Sequence, residues 1–151
     1  MSTNTPLKSP HQADIIKIAT SKSLEPPLRA KHNSQPQGDC AGRHFIVDIW
    51  DCIELDNCAF IENALIEAAQ RSGAVLLHIH LHKFCDGEGV TGVALLAESH
   101  ISVHTWPERN YAAFDVFMCG DSKPELAVDY LCTCFKARRT QINEIQRGKT
   151  K

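Results

Sequence analysis

Three histidines, His78, His80 and His82, alternate with apolar residues in the run Val75-Leu76-Leu77-His78-Ile79-His80-Leu81-His82. Alternation in a strand puts all three on one face. Three imidazoles together, with His100 and His104 further along, resemble a zinc ligand set. The same pattern more often marks hydrogen-bonded interface histidines, and no metal is expected. The seven cysteines contain no C-x-x-C pair, so neither a zinc ribbon nor a disulfide framework is indicated. A second concentration of reactive side chains runs from Leu96 to Glu108: Leu-Ala-Glu-Ser-His-Ile-Ser-Val-His-Thr-Trp-Pro-Glu.

The elements that must position these residues follow from periodicity. His44–Trp50 reads as a strand. Phe60, Ile61, Ala64, Leu65, Ala68 and Ala69 recur at helical spacing, and Gly73 ends that helix. Residues 75–82 read as a strand, followed by a Gly-rich turn, Asp86-Gly87-Glu88-Gly89. Residues 91–99 and 100–106 read as two more strands, and Asn110 turns the chain into a strand over Tyr111–Cys119. Ser122 is expected to cap a second helix with Pro124 in its first turn. Its apolar stripe is Leu126, Ala127, Tyr130, Leu131, Cys134 and Phe135. The basic run Lys136-Ala137-Arg138-Arg139 suits the end of that helix, where the dipole favours cations. A short strand, Gln141–Ile145, closes the domain.

Alternation assigns faces. Val75, Leu77, Ile79 and Leu81 share one face of their strand, and the three histidines share the other. Ala112, Phe114, Val116 and Met118 form an apolar face, whereas Tyr111, Ala113, Asp115, Phe117 and Cys119 form a mixed one. The fold class is therefore α+β, a two-layer α/β sandwich. A mostly antiparallel sheet carries two helices on its apolar face. The other face is too apolar for free solvent and too polar for a core. It suits a dimer interface, an active site, or both.

Composition bounds the rest. The chain has 151 residues, 43% hydrophobic and 23% charged, with a formal net charge of −2. One soluble domain is expected. The absence of basic excess argues against nucleic-acid binding. No apolar run approaches the ~20 residues that cross a membrane. No secretory signal is legible at the start, so a cytoplasmic location is expected. Five of the seven prolines lie in the first 36 residues. Residues 1–40 read as a disordered extension whose one apolar cluster is Ile15-Ile16-Lys17-Ile18, and residues 41–151 read as the domain.

The long run Glu98-Ser99-His100-Ile101-Ser102-Val103-His104-Thr105-Trp106-Pro107-Glu108 resembles the self-cleavage site of bacterial S-adenosylmethionine decarboxylase proenzymes. Flanking segments extend the resemblance: Gly89-Val90-Thr91-Gly92-Val93 before it, and Tyr111–Gly120 after it. Gly42-Arg43-His44, Val47-Asp48-Ile49-Trp50 and Leu76-Leu77-His78 also look like family positions. About residues 42–147 are covered.

The resemblance implies a chemistry. A decarboxylase needs an electron sink for the developing carbanion, and no ordinary side chain supplies one. Such proenzymes make a ketone from their own serine. By resemblance, Ser99 attacks the carbonyl of Glu98, elimination breaks the chain, and hydrolysis leaves a pyruvoyl group with release of ammonia. The products are residues 1–98 and 99–151, which stay associated. The ketone forms a Schiff base with the substrate amine. His104 matches the base of processing, a role that suits a group titrating near neutrality. Cys119 matches the proton donor of decarboxylation. Thr91 stands where many relatives carry a serine that supports processing. A straight strand sets Ser99 and His104 on opposite faces, so a turn, kink or bulge around Ser99–Ile101 is expected to unite them.

For the substrate, Glu108 matches a carboxylate that accepts from ribose hydroxyls. Trp106 or Phe84 would stack on adenine and attract the sulfonium. Cys85 stands where the family usually carries phenylalanine. The resemblance implies decarboxylated S-adenosylmethionine, made for spermidine synthesis, as product, and a homodimer packed through the sheet faces. Alternatives are a pyruvoyl-dependent arginine or ornithine decarboxylase and a non-processing regulatory dimer partner.

Overall fold

The structure, a computed structural model, describes residues 40–85 and 87–149. The expected disorder of residues 1–40, including the isoleucine cluster, falls outside these except at Cys40. Six strands and two helices follow in the order β1 (Gly42–Trp50), α1 (Cys58–Arg71), β2 (Leu76–Lys83), β3 (Val90–Leu96), β4 (Ser99–Trp106), β5 (Tyr111–Met118), α2 (Pro124–Cys134) and β6 (Arg139–Arg147). The strands form one sheet in the order β2-β3-β4-β5-β1-β6. Every pairing is antiparallel.

One face of the sheet is made by Phe45, Val47 and Ile49 of β1, Ala94 and Leu96 of β3, Ile101 and Val103 of β4, and Ala112, Phe114, Val116 and Met118 of β5, all buried. Both helices pack on it. Helix α1 contributes Ile61, Ala64, Leu65, Ala68 and Ala69, a stripe whose alanines let the backbone lie close to the sheet. Asn57 starts this helix, its side chain accepting from Phe60 N at 3.1 Å. Ser72 and left-handed Gly73 end it. Phe135, fully buried, meets Phe60 and Phe114 edge to face and joins both helices to the sheet. Truncating such a residue to alanine costs about 3–5 kcal/mol.

Several expectations need correction. A register irregularity between Leu76 and His78 flips the start of β2. Leu76, Ile79 and Leu81 therefore lean on the core, while Leu77 and Val75 are 60% and 62% exposed. The boundary between the two middle strands lies at a two-residue turn, Ala97-Glu98, so Ser99 opens β4 rather than closing the strand before it. Ser122 does not cap α2. Lys123 takes that position without a side-chain cap, and its N–H donates to Ser72 O at 2.9 Å. Leu126 of the supposed apolar stripe is 42% exposed. The basic run lies beyond α2: Phe135 ends the helix, Lys136 is left-handed, and Arg139 already belongs to β6. That last strand spans nine residues and is exposed throughout, an edge flanked by β1 alone.

Candidate active site

The bare sheet face is built from register rows. His82, Thr91, His104, Ala113, Asp48 and Gln141 stand opposite one another in succession across the sheet. The next row runs His80, Val93, Ser102, Asp115, Ile46 and Asn143. Beyond it come His78, Leu95, His100, Phe117, His44 and Ile145. Among the described residues, no three His, Cys, Asp or Glu side chains gather in a metal-binding arrangement. The β2 histidines lie exposed, each in its own row. At the centre of the face Ser102 donates to Asp115 Oδ2 at 3.0 Å, and Asp115 Oδ1 lies 3.4 Å from His44 Nε2. Burial and the neighbouring His44 hold the His100 pKa below its ordinary value.

The candidate residues divide between the two ends of β4. At its far end, the backbone of the Gly-rich turn and β3–β4 encloses a cavity of about 530 Å³. Phe84, Thr91, His104, Trp106 and Glu108 line it together, in the size range of small-molecule sites. All five were singled out in sequence as processing or substrate residues. Thr91 and His104 face each other in register, and Thr91 Oγ1 is hydrogen-bonded to His104 Nδ1. Gly89 forms part of the wall because a Cβ there would meet Thr105 O at 1.9 Å. Thr105, only 5% exposed, was missed in sequence. Its hydroxyl accepts from Val90 N at 2.7 Å and donates to Leu55 O at 2.6 Å, tying the cavity wall to the loop before α1. Strict alternation between His104 and Trp106 already turned it inward, which is the signal that could have found it.

Ser99, Glu98 and Cys119 sit at the near end. The Ala97-Glu98 turn is tight, and Glu98 is left-handed at φ 60°. Two-residue hairpins favour positive φ at the first or at both central positions. Here only the second has it, on a residue with a Cβ, a conformation costing about 1–2 kcal/mol. Ser99 Oγ accepts from Cys119 N at 3.2 Å. Burial pushes the Cys119 thiol above its ordinary value, and the charge of Glu98 and the neighbouring Cys40 add in the same direction.

The expected kink that would unite Ser99 with His104 is absent. From Leu96↔Ser99 to Thr91↔His104 the ladder with β3 runs without a break, as does the ladder with β5. Five residues of straight strand set the two roughly 16 Å apart at about 3.3 Å per residue. Within one chain the structure brings together Ser99 with Cys119, and His104 with Thr91, but not the two pairs with each other.

Comparisons with known proteins agree with this architecture. A protein-family model described as S-adenosylmethionine decarboxylase matches residues 43–148. An S-adenosylmethionine decarboxylase proenzyme from Methanococcus aeolicus is 48% identical over 110 residues, covering 71% of this chain and 93% of the relative. A proenzyme of the same name from a Synechococcus species is 48% identical over 109 residues, covering 70% and 84%. The crystal structure of the adenosylmethionine decarboxylase from Aquifex aeolicus superposes with a TM-score of 0.70 at 33% identity, covering 76% of this chain and 96% of that one. Fold and relatives together define a class of decarboxylating enzymes made as proenzymes. The chain belongs to the S-adenosylmethionine decarboxylase family.

Proposed function

We propose that this chain cleaves itself between Glu98 and Ser99 and, once processed, decarboxylates S-adenosylmethionine to S-adenosylmethioninamine and carbon dioxide, the first commitment to spermidine. The observation that carries this reading is the local geometry of the cut. The hydroxyl of Ser99 follows a strained, left-handed Glu98 at an exposed two-residue turn. Transfer of the Glu98 acyl group from Ser99 N to Oγ would release that strain. The Cys119 N–H on Ser99 Oγ fixes the serine rotamer for attack.

Ser99 would become the pyruvoyl group, whose ketone supplies the electron sink for decarboxylation. The surroundings fit such a group. Cys119 is adjacent, and its raised pKa keeps the thiol protonated at neutral pH, the form needed to donate a proton to the substrate carbon. At the other end, Thr91 Oγ1 and His104 Nδ1 are hydrogen-bonded, and with the proton on Nδ1 the Nε2 lone pair would be free as a base. Glu108 offers a carboxylate to ribose hydroxyls and Trp106 or Phe84 a face to adenine, all within one cavity. The exposed Ile46, Leu95 and Ile145 on the bare face support packing against a second copy. A two-fold related copy laid antiparallel on that face would bring its His104 end to the end of the sheet where β4 opens, and each site would draw on both chains there. Ser99 would be approached around the exposed Ala97-Glu98 turn, because alternation turns its side chain to the opposite face. Among the described residues no helix is long and apolar enough to cross a membrane.

Denaturing mass spectrometry tests the reading. The expected result is two chains, 1–98 and 99–151, the second lighter by one ammonia than a fragment beginning with serine, and an intact Ser99→Ala control. A single stable chain would overturn it. Carbon dioxide release from S-adenosylmethionine, with arginine and ornithine as competitors, then fixes the substrate.

A further inference from the structure

The last row of the bare face enters the cavity only at Trp106, and its other members are not used by the chemistry proposed above. Trp106, Tyr111, Trp50 and Arg139 are successive register partners across β4, β5, β1 and β6. Their side chains form one continuous stack. Tyr111 lies 5.1 Å from the Trp106 ring at an interplanar angle of 25°, and 5.4 Å from the Trp50 ring at 29°. The Arg139 guanidinium covers Trp50 at 4.4 Å, which gives that member of the basic run a place. The tip of Tyr111 is held as well, its hydroxyl donating to Asp48 Oδ1. Burial first, and then the bond to Asp48, push the Tyr111 pKa up to about 12, so the donor keeps its proton across the working pH range.

Tyr111 is thus clamped on both ring faces and at its hydroxyl, while Trp106 is a cavity wall that stacks on Tyr111 and meets His104 only at a tilt, 6.2 Å away at 41°. An indole at the mouth of a cavity has rotamer freedom unless a neighbour removes it. We propose that Tyr111, anchored by Asp48, is a positioning residue for substrate binding: it sets the plane of Trp106, against which the planar base or the cationic sulfonium of the substrate rests. The proposal rests on the reading that this cavity takes S-adenosylmethionine. A wall fixed in advance spares the ordering cost at the moment of binding. It serves ground state and transition state alike, so its loss falls on KM rather than kcat. Self-cleavage is expected to be independent of it, because Tyr111 and Asp48 bond each other and not Thr91, His104 or Ser99.

The experiment compares Tyr111→Phe, Asp48→Ala and the double variant as full-length, self-processed enzyme. Tyr111→Phe keeps the stack and removes only the hydroxyl. Each single variant is expected to raise KM for S-adenosylmethionine roughly five-fold, with kcat within about two-fold and cleavage unchanged. The double variant should be no worse than either single one, because both remove the same bond. Asp48→Asn, which keeps an acceptor oxygen, should restore most of the affinity. The chain has two tryptophans, and both stand in this row. Near-ultraviolet circular dichroism therefore reads the row directly, and Tyr111→Phe should weaken the tryptophan bands with little change in thermal midpoint. Unchanged KM with unchanged dichroism, or KM and kcat deteriorating together with the thermal midpoint, would overturn the proposal. Wild-type enzyme that processes itself but releases no carbon dioxide from S-adenosylmethionine would instead sink the substrate reading, and the dichroism would still decide whether Tyr111 orders the indoles.

Discussion

At the Ser99 end of β4 the chain doubles back within two residues, carries a left-handed glutamate and fixes a hydroxyl on a backbone N–H. At the Trp106 end it opens into a cavity of about 530 Å³ walled by imidazole, indole, carboxylate and glycine backbone. The first end is small and locally strained, and the function proposed above assigns it one reaction on its own backbone. The second is roomy and offers polar groups to a separate molecule. An uninterrupted ladder on both flanks of β4 keeps the two apart. The contrast is between a turn end and a cavity end of one strand; under the function proposed above they would be two half-sites that a second copy joins.

The largest effect expected from this division is restoration from two inactive chains. Ser99→Ala and His104→Ala chains expressed singly should each stay uncleaved. Co-expressed, they should yield cleavage of the His104→Ala chain alone, because its Ser99 meets the His104 of its partner. Gel analysis with differently sized tags reads this out, and no cleavage in the mixture would place both roles in one chain. Next in size is Cys119→Ala, expected to leave cleavage largely intact while lowering decarboxylation by about 10²–10⁴-fold. The thiol must be protonated to donate, and its pKa lies above the ordinary 9.0. Activity should therefore persist into alkaline pH and fall only as the pH passes that raised value. An alkaline limb that falls at or below the ordinary thiol range would argue against Cys119 as the donor.

Smaller effects sharpen each end separately. Thr91→Val removes the partner of His104 Nδ1 and should slow processing about ten-fold, whereas Thr91→Ser keeps the hydroxyl and should stay within about two-fold. Precursor half-lives measured by quenched gels separate the two. Smallest is Glu98→Gly, which tolerates the left-handed turn and relieves about 1 kcal/mol. Cleavage should slow a few-fold and the uncleaved precursor should melt slightly higher. Unchanged cleavage would show that the strain plays no part.

The last-but-one strand was legible because alternation and burial agree along β5, where Ala112, Phe114, Val116 and Met118 turn inward as read. The start of β2 was not, because a bulge inserts one residue and moves every side chain before it to the other face. The boundary between β3 and β4 was misplaced because Ala97-Glu98 carries none of the Gly, Asn or Asp that announces a hairpin. That omission sits at the candidate cut itself, where turn chemistry that fits poorly is part of the proposed function. The helix cap at Ser122 failed because α2 draws its first partner from the end of α1, a tertiary contact no local pattern carries. Phe84, Thr91, His104, Trp106 and Glu108 were each singled out through resemblance, and the structure places them together around the cavity. Their separation from Ser99 was not foreseen, since strand straightness is decided by both neighbouring ladders.

The strand order has a consequence for what cleavage leaves behind. Cutting after Glu98 would put β1, β2 and β3 on one fragment and β4, β5 and β6 on the other, yet the sheet runs β2-β3-β4-β5-β1-β6. The fragments are interleaved: β1 of the first lies between β5 and β6 of the second. Parting them means breaking the β3–β4, β5–β1 and β1–β6 ladders together with the packing of α1 on α2. The nicked protein would be a tightly woven pair of polypeptides for which dissociation and unfolding are the same event. Its melting temperature should then rise with protein concentration, as it does for any folded state assembled from two chains, whereas contributions within the uncut precursor are intramolecular.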